Sequence, residues 1–161
     1  MSTTVKVSKK HNLFNKVESL FYQFKDLKRE VICIEEEIEF IKFDYNGFRS
    51  TEYLEKVQKS DNINSPVEIE IIQKQKKLQL LEQLKYEKEV SIKRVERAID
   101  NFNKEENEMF NIRYIQNIKN WQVYGLKMNV GKDTYYSIRE NMIKKSIPII
   151  FPLYNFENHS R

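Results

Sequence analysis

A chain of 161 residues, 40% apolar and 32% charged with only 3 Gly and 3 Pro, has room for one ordinary domain or for a small domain joined to an elongated segment, and favours long helices over sheet. Lys and Arg number 28 against 24 acids, a net charge of +4 and a pI near 9.0 that permits an acidic partner without demanding one. The lone Cys33 excludes an internal disulfide, the N-terminus lacks the apolar core of a secretion signal, and the longest apolar stretch, Ile147 to Tyr154, is too short to cross a bilayer, so a soluble cytoplasmic protein with no membrane partner is expected.

Residues Met1 to about Lys10 are polar and without periodicity, and read as a flexible arm that either touches phosphates or is simply solvated. From about Asn12 to Phe48 two apolar columns run at alternating spacings of three and four. One is Val17, Phe24, Val31, Ile38 and Tyr45; the other is Leu20, Leu27, Ile34, Ile41 and Phe48. Every position is apolar, which is a coiled-coil-like seam on a long helix. Phe14 and Phe21 widen the stripe at its start, so that end is expected to meet more than one neighbour. The run Glu35-Glu36-Glu37 points in three directions on a helix and is a solvated face rather than a metal cluster.

Asn46-Gly47 stops this helix, and Phe48 to Asn64 forms a polar connector with a short helical turn at Thr51 to Gln58. Ser65-Pro66-Val67-Glu68 then carries a helix-start signal: Ser65 caps, Pro66 fits the first helical position, and Glu68 reaches back to the cap amide. The second helix is expected to run to about Asn101, with apolar positions at Ile71, Leu78, Leu81, Ile92, Val95, Ile99 and Phe102, and lysine stems filling the gaps at Lys74, Lys85 and Lys88. The two long helices either form an antiparallel hairpin or each recruits a second copy of the chain; the spacing does not choose.

Asn103 with Glu106 has the spacing of a capping box and opens a helix carrying Met109, Phe110, Ile112, Tyr114 and Ile115, which ends near Asn117 to Asn120. Two short helices follow, Trp121 to Met128 and Lys132 to Lys145, joined by Asn129-Val130-Gly131, residues suited to a sharp corner. Apolar spacing buries Tyr124, Met128, Val130, Tyr135, Ile138 and Met142, and leaves Lys132, Asp133, Tyr136, Ser137, Arg139 and Lys144 toward solvent. An exposed polar helix behind such a corner is how a helix-turn-helix protein offers side chains to the major groove; a plain helical hairpin has the same pattern. Past Glu108 the acids thin out while Arg113, Lys119, Lys127, Lys132, Arg139, Lys144 and Lys145 accumulate. Pro148 is expected to end the last helix near Ser146. The apolar tail 147–161 then packs back on the domain, closes a dimer or binds another protein.

The expected architecture is all-α: a flexible arm at 1–10, a long antiparallel hairpin at 11–102, a helix-turn-helix domain at 103–146 and an apolar tail. No Gly-rich phosphate loop, Cys/His metal spacing or nucleophile-base-acid set is legible, and His11 and His159 lie at opposite ends in polar surroundings. Neither an enzyme nor a cofactor is expected.

The stretch from Ala98 to Lys145 resembles region 4 of sigma-70 factors, and more closely the phage late-gene transcriptional regulators of the RinA and ArpU kind. The likeness lies in the pair Arg113-Tyr114, in Trp121 opening the next helix, in the small Gly125 within it, and in Thr134, Tyr135, Tyr136 and Arg139. The Ser65-Pro66-Val67-Glu68 junction is similar too. Gly125 stands where alanine is usual, and Gly131 where a serine cap is usual. The resemblance implies a sequence-specific double-stranded-DNA-binding regulator, an activator of phage late genes in the host cytoplasm, with host RNA polymerase as a further partner. It implies that Lys132, Asp133, Thr134, Tyr136 and Ser137 face the groove while Arg139, Lys144 and Lys145 hold phosphates. Two other readings stand beside it: a helical scaffolding protein, or homodimer, acting through the Val17–Phe48 seam, and a sigma-like factor acting only with RNA polymerase.

Overall fold

The computed structural model describes residues 3–47 and 66–153, all of them in helices or short connections, and the protein is all-α. Helix α1 spans Thr3–Gly47 and α2 spans Pro66–Ile99. A short α3, Lys104–Phe110, runs into a π-helical turn, Asn111–Ile115. Then come α4, Trp121–Met128, and α5, Lys132–Ile150. The connector Phe48–Asn64, the cap Ser65, Phe48 of the seam, and most of the tail lie outside the described residues.

Helix α1 begins at Thr3, so residues 3–10 have helical backbone where a flexible arm was expected. A helix already nucleated by packed turns propagates at little cost through Val, Lys and Ser. The chain forms two compact units, one of residues 1–28 with 90–161 and one of residues 29–89. The first part of α1 and the end of α2 group with the C-terminal helices, where the sequence reading places a boundary at residue 102.

In the unit 29–89, two helical stretches run antiparallel. Glu30 pairs with Lys88 at 2.5 Å, Glu35 with Lys85 at 2.7 Å and Glu37 with Lys77 at 2.6 Å, descending along α2 as α1 ascends. Between these flanks, where the two stretches run side by side, the seam residues Ile34, Ile38 and Ile41 are buried. The opposite sides of both helices keep Ile32, Phe40, Phe43, Ile69, Leu80 and Leu84 exposed.

In the unit 1–28 with 90–161, Phe21 is the hub of an aromatic core. Its ring meets Phe102 at 6.1 Å, Phe110 at 5.2 Å and Tyr114 at 5.3 Å, all edge-to-face, a geometry worth about 0.5–1.5 kcal/mol per pair beyond area burial. Val17, Val95, Ala98 and Met109 complete this core. The expected box at Asn103 is present: its side chain accepts from the Glu106 amide at 2.8 Å, and the Glu106 carboxylate accepts from the Asn103 amide at 2.9 Å.

Helix α5 does not stop at Ser146. It continues to Ile150 with Pro148 inside it. A proline there removes one backbone bond and crowds the preceding turn, at about 3 kcal/mol. Ile147 and Ile150 are both fully buried by the extension. Each such side chain contributes about 1.5–3 kcal/mol, enough to offset the proline. These residues of the tail thus pack back on their own unit, whereas Leu153 is exposed.

Candidate nucleic-acid interface

The corner between α4 and α5 is built by backbone geometry. Asn129 adopts the left-handed conformation (φ 53°, ψ 48°), and its amide and that of Val130 both bond the Gly125 carbonyl. Asparagine tolerates this region better than most residues. Gly125 is buried at the corner, and a Cβ there would stand 2.8 Å from the Val130 carbonyl oxygen. Close approach of the turn, rather than helix propensity, accounts for glycine at this position. Gly131 is the N-cap of α5 in extended conformation, with open space around it. Asn120 caps α4 by accepting from the Gln122 amide at 3.0 Å.

One side of this pair is closed. Tyr124 and Tyr135 meet edge-to-face at 5.5 Å, and Ile138, Met142 and Ile143 continue the buried stripe along α5. The Tyr124 hydroxyl donates to the Glu105 carbonyl at 3.1 Å. Burial, with the nearby charges of Glu105 and Glu108, pushes its pKa up to about 12. The expected core positions Tyr124, Tyr135, Ile138 and Met142 are therefore buried, while Met128 and Val130 are half-buried.

The other side is open. Lys132, Asp133, Thr134, Tyr136 and Ser137 are all exposed, with the Tyr136 ring resting edge-on against Tyr135 at 5.2 Å. Lys144 is exposed as well and pairs with Glu140 one turn back at 2.5 Å.

Two residues expected at phosphates are committed elsewhere. Arg139 forks onto the Glu18 carboxylate, Nε to Oε1 at 2.8 Å and Nη2 to Oε2 at 2.6 Å, with its guanidinium 5.3 Å from the centre of the Phe14 ring. Lys145 bonds both oxygens of the buried Glu106, at 3.0 and 2.8 Å, closing the capping box from α5. A buried carboxylate needs such partners, because leaving a buried charge unpaired costs several kcal/mol. Arg139 and Lys145 are thus each tied to a carboxylate of their own unit, the Arg139 side chain 21% exposed and that of Lys145 49%.

Glu18 lies in the first part of α1 and was not singled out as a site residue. Its Oε1 also accepts from the Tyr114 hydroxyl at 3.1 Å and from Arg113 Nη2 at 3.4 Å. Arg113 Nη1 in turn donates to the Tyr135 hydroxyl at 2.8 Å. The π-helical turn supplies both Arg113 and Tyr114 to the one carboxylate. Burial works to raise the Glu18 pKa, but the hydrogen bonds and charge of Arg139, then Tyr114 and Arg113, hold it below the ordinary carboxylate value. Burial and the Glu18 charge push the Tyr114 hydroxyl up. No heptad or capping signal marks Glu18, since a glutamate beside a seam position reads as a solvated face.

Among the described residues no cluster of His, Cys, Asp and Glu is arranged to hold a metal, and no helix is long and apolar enough to cross a membrane. Set against protein-family models, curated proteins and solved structures, the chain matches none. Geometry and charge therefore carry the functional reading.

Proposed function

We propose that the chain is a sequence-specific regulator of transcription that binds double-stranded DNA, of the kind that activates phage late genes, and that the first turns of α5 enter the major groove. The observation that carries this reading is the exposed edge Lys132, Asp133, Thr134, Tyr136 and Ser137 on a helix whose opposite side is buried and whose corner with α4 is tightly built. A helix presented this way fits the width of the groove. Lys132 suits guanine or a phosphate, the acceptor-only Asp133 suits a cytosine amino group, and Ser137 serves several bases. Lys144 and Lys145, further along the same helix and each half-exposed, are cations for the backbone.

The test is a gel shift of the full chain on duplexes enriched from a random library, at two salt concentrations. Binding must weaken steeply with salt, because phosphate contacts release counterions. Lys132→Ala with Tyr136→Ala should abolish preference for the enriched duplex while circular dichroism stays unchanged. Unchanged preference in that variant sinks the residue assignment.

The exposed Ile32, Phe40 and Phe43 on α1, with Ile69, Leu80 and Leu84 on α2, favour a second reading, a helical interaction protein. It acts through the helix of the Val17–Phe48 seam, whose outer side carries Ile32, Phe40 and Phe43. Self-association without any DNA binding would favour it over the first.

A further inference from the structure

We infer that Glu18 is a positioning residue for the groove-reading edge: through Arg139 and the Arg113–Tyr135 bond it sets the rotation of α5, and so decides which bases that edge meets. This rests on the DNA-binding reading above. Apolar packing of Ile138, Met142 and Ile143 holds α5 against its neighbours, but such contacts are not directional. The directional anchors beside the reading edge are Tyr135 and Arg139, one helical turn apart, and both lead to Glu18, whereas Lys145 ties the far part of α5 to Glu106. The two-pronged bond of Arg139 fixes the plane of its guanidinium relative to α1. Tyr135 is fixed by Arg113, whose other terminal nitrogen lies 3.4 Å from Glu18. The Glu18 side chain is only 15% exposed, so solvent does little to loosen these bonds.

Tyr136 and Ser137 lie between the two anchors in sequence, and Lys132 and Asp133 lie just before the first. A rotation that moves the anchors therefore moves the whole edge. Base readout demands placement within about 0.5 Å, whereas long flexible lysines follow a phosphate through such a shift. Loosening the anchor should thus cost discrimination between sequences and leave the number of phosphate contacts unchanged. A phosphate contact by Arg139 would do the reverse.

The experiment uses the full chain, the duplex that the wild type enriches from a random library, and a shuffled duplex of the same composition, each titrated over a salt series. Arg139→Lys keeps the charge and one hydrogen bond, so it retains the fold, but it loses the fork. Glu18→Gln keeps the shape and loses the charge. Both should lower the ratio of enriched to shuffled affinity by about tenfold, which is the size of one base contact, with the slope of log K against log salt unchanged. A ratio kept by both variants overturns the inference and leaves the DNA-binding reading standing. So does a Glu18→Gln variant that binds both duplexes more tightly with a steeper slope, since that would mean Arg139 had been released to a phosphate. If Glu18→Gln is unfolded at the assay temperature, Arg139→Lys decides alone. A wild type that prefers no duplex overturns both the reading and the inference.

Discussion

The two compact units are made partly from the same two helices, yet they are stabilised differently. In residues 1–28 with 90–161, α1 and α2 meet α3, the π-helical turn and α5, and side chains such as Phe21, Met109 and Met142 reach 0% exposure. In residues 29–89 the same helices, among the described residues, have only each other. There α1 buries one stripe against α2 positions such as Leu78 and Leu81 that are only half-buried, and the backs stay open, with Phe43 at 79% and Phe40 at 67%. A long heptad guarantees one buried face; a second buried face needs a third element.

The sharpest break between the units is Phe21→Ala against Phe43→Ala. The first should cost about 3–5 kcal/mol in urea unfolding of the full chain, since it empties the centre of the aromatic core. The second should stay within about 0.5 kcal/mol. A large loss for Phe43→Ala would instead mean that its face is covered in solution.

The next effect is polar and also confined to the first unit. The Glu18 pKa is held below its ordinary value of 4.5, so its contribution is fully present above that value and is lost as the pH falls through the lower native one. The thermal midpoint should drop on acidification below about pH 4.5, and Glu18→Gln should flatten part of that drop. At neutral pH the same substitution should cost about 1.5–3 kcal/mol, the range for hydrogen bonds to a charged group. An acid profile identical in Glu18→Gln would show that other carboxylates carry the dependence.

The smallest effects separate two glycines. Gly125→Ala gains helix propensity of about 1 kcal/mol, but its Cβ meets the Val130 carbonyl at 2.8 Å, and that oxygen belongs to backbone which cannot swing aside. A net loss of about 1–2 kcal/mol is expected in the same unfolding assay, within the usual range for overpacking. Gly131→Ser, in open space at the N-cap, should stabilise by a few tenths of a kcal/mol. A stabilising Gly125→Ala would mean that the corner relaxes easily and holds α5 less firmly.

Much of this was legible before any coordinates. The bounds of α4, the corner at Asn129, the capping box at Asn103 and the start at Pro66 all follow from short-range rules, because caps, turns and proline act within a few residues. The buried sides of α1 and α5 follow from periodicity, which is likewise local. The extra turn of α5 past Pro148 was not legible, because a local penalty was outweighed by burial that depends on distant neighbours. The carboxylate partners of Arg139 and Lys145 were not legible for a related reason. A basic residue on the polar side of a helix looks free until the acid that meets it is known.

By itself, then, the sequence determined the helices, their caps, their apolar stripes and the exposed edge from Lys132 to Ser137, since each depends on residues within a turn or two of one another. Only the tertiary structure decided that α1 belongs partly with the C-terminal helices, and that Glu18 meets Arg139 and Arg113. These pairings join side chains far apart along the chain, and no local spacing records which charge will face which once the aromatic core around Phe21 has closed.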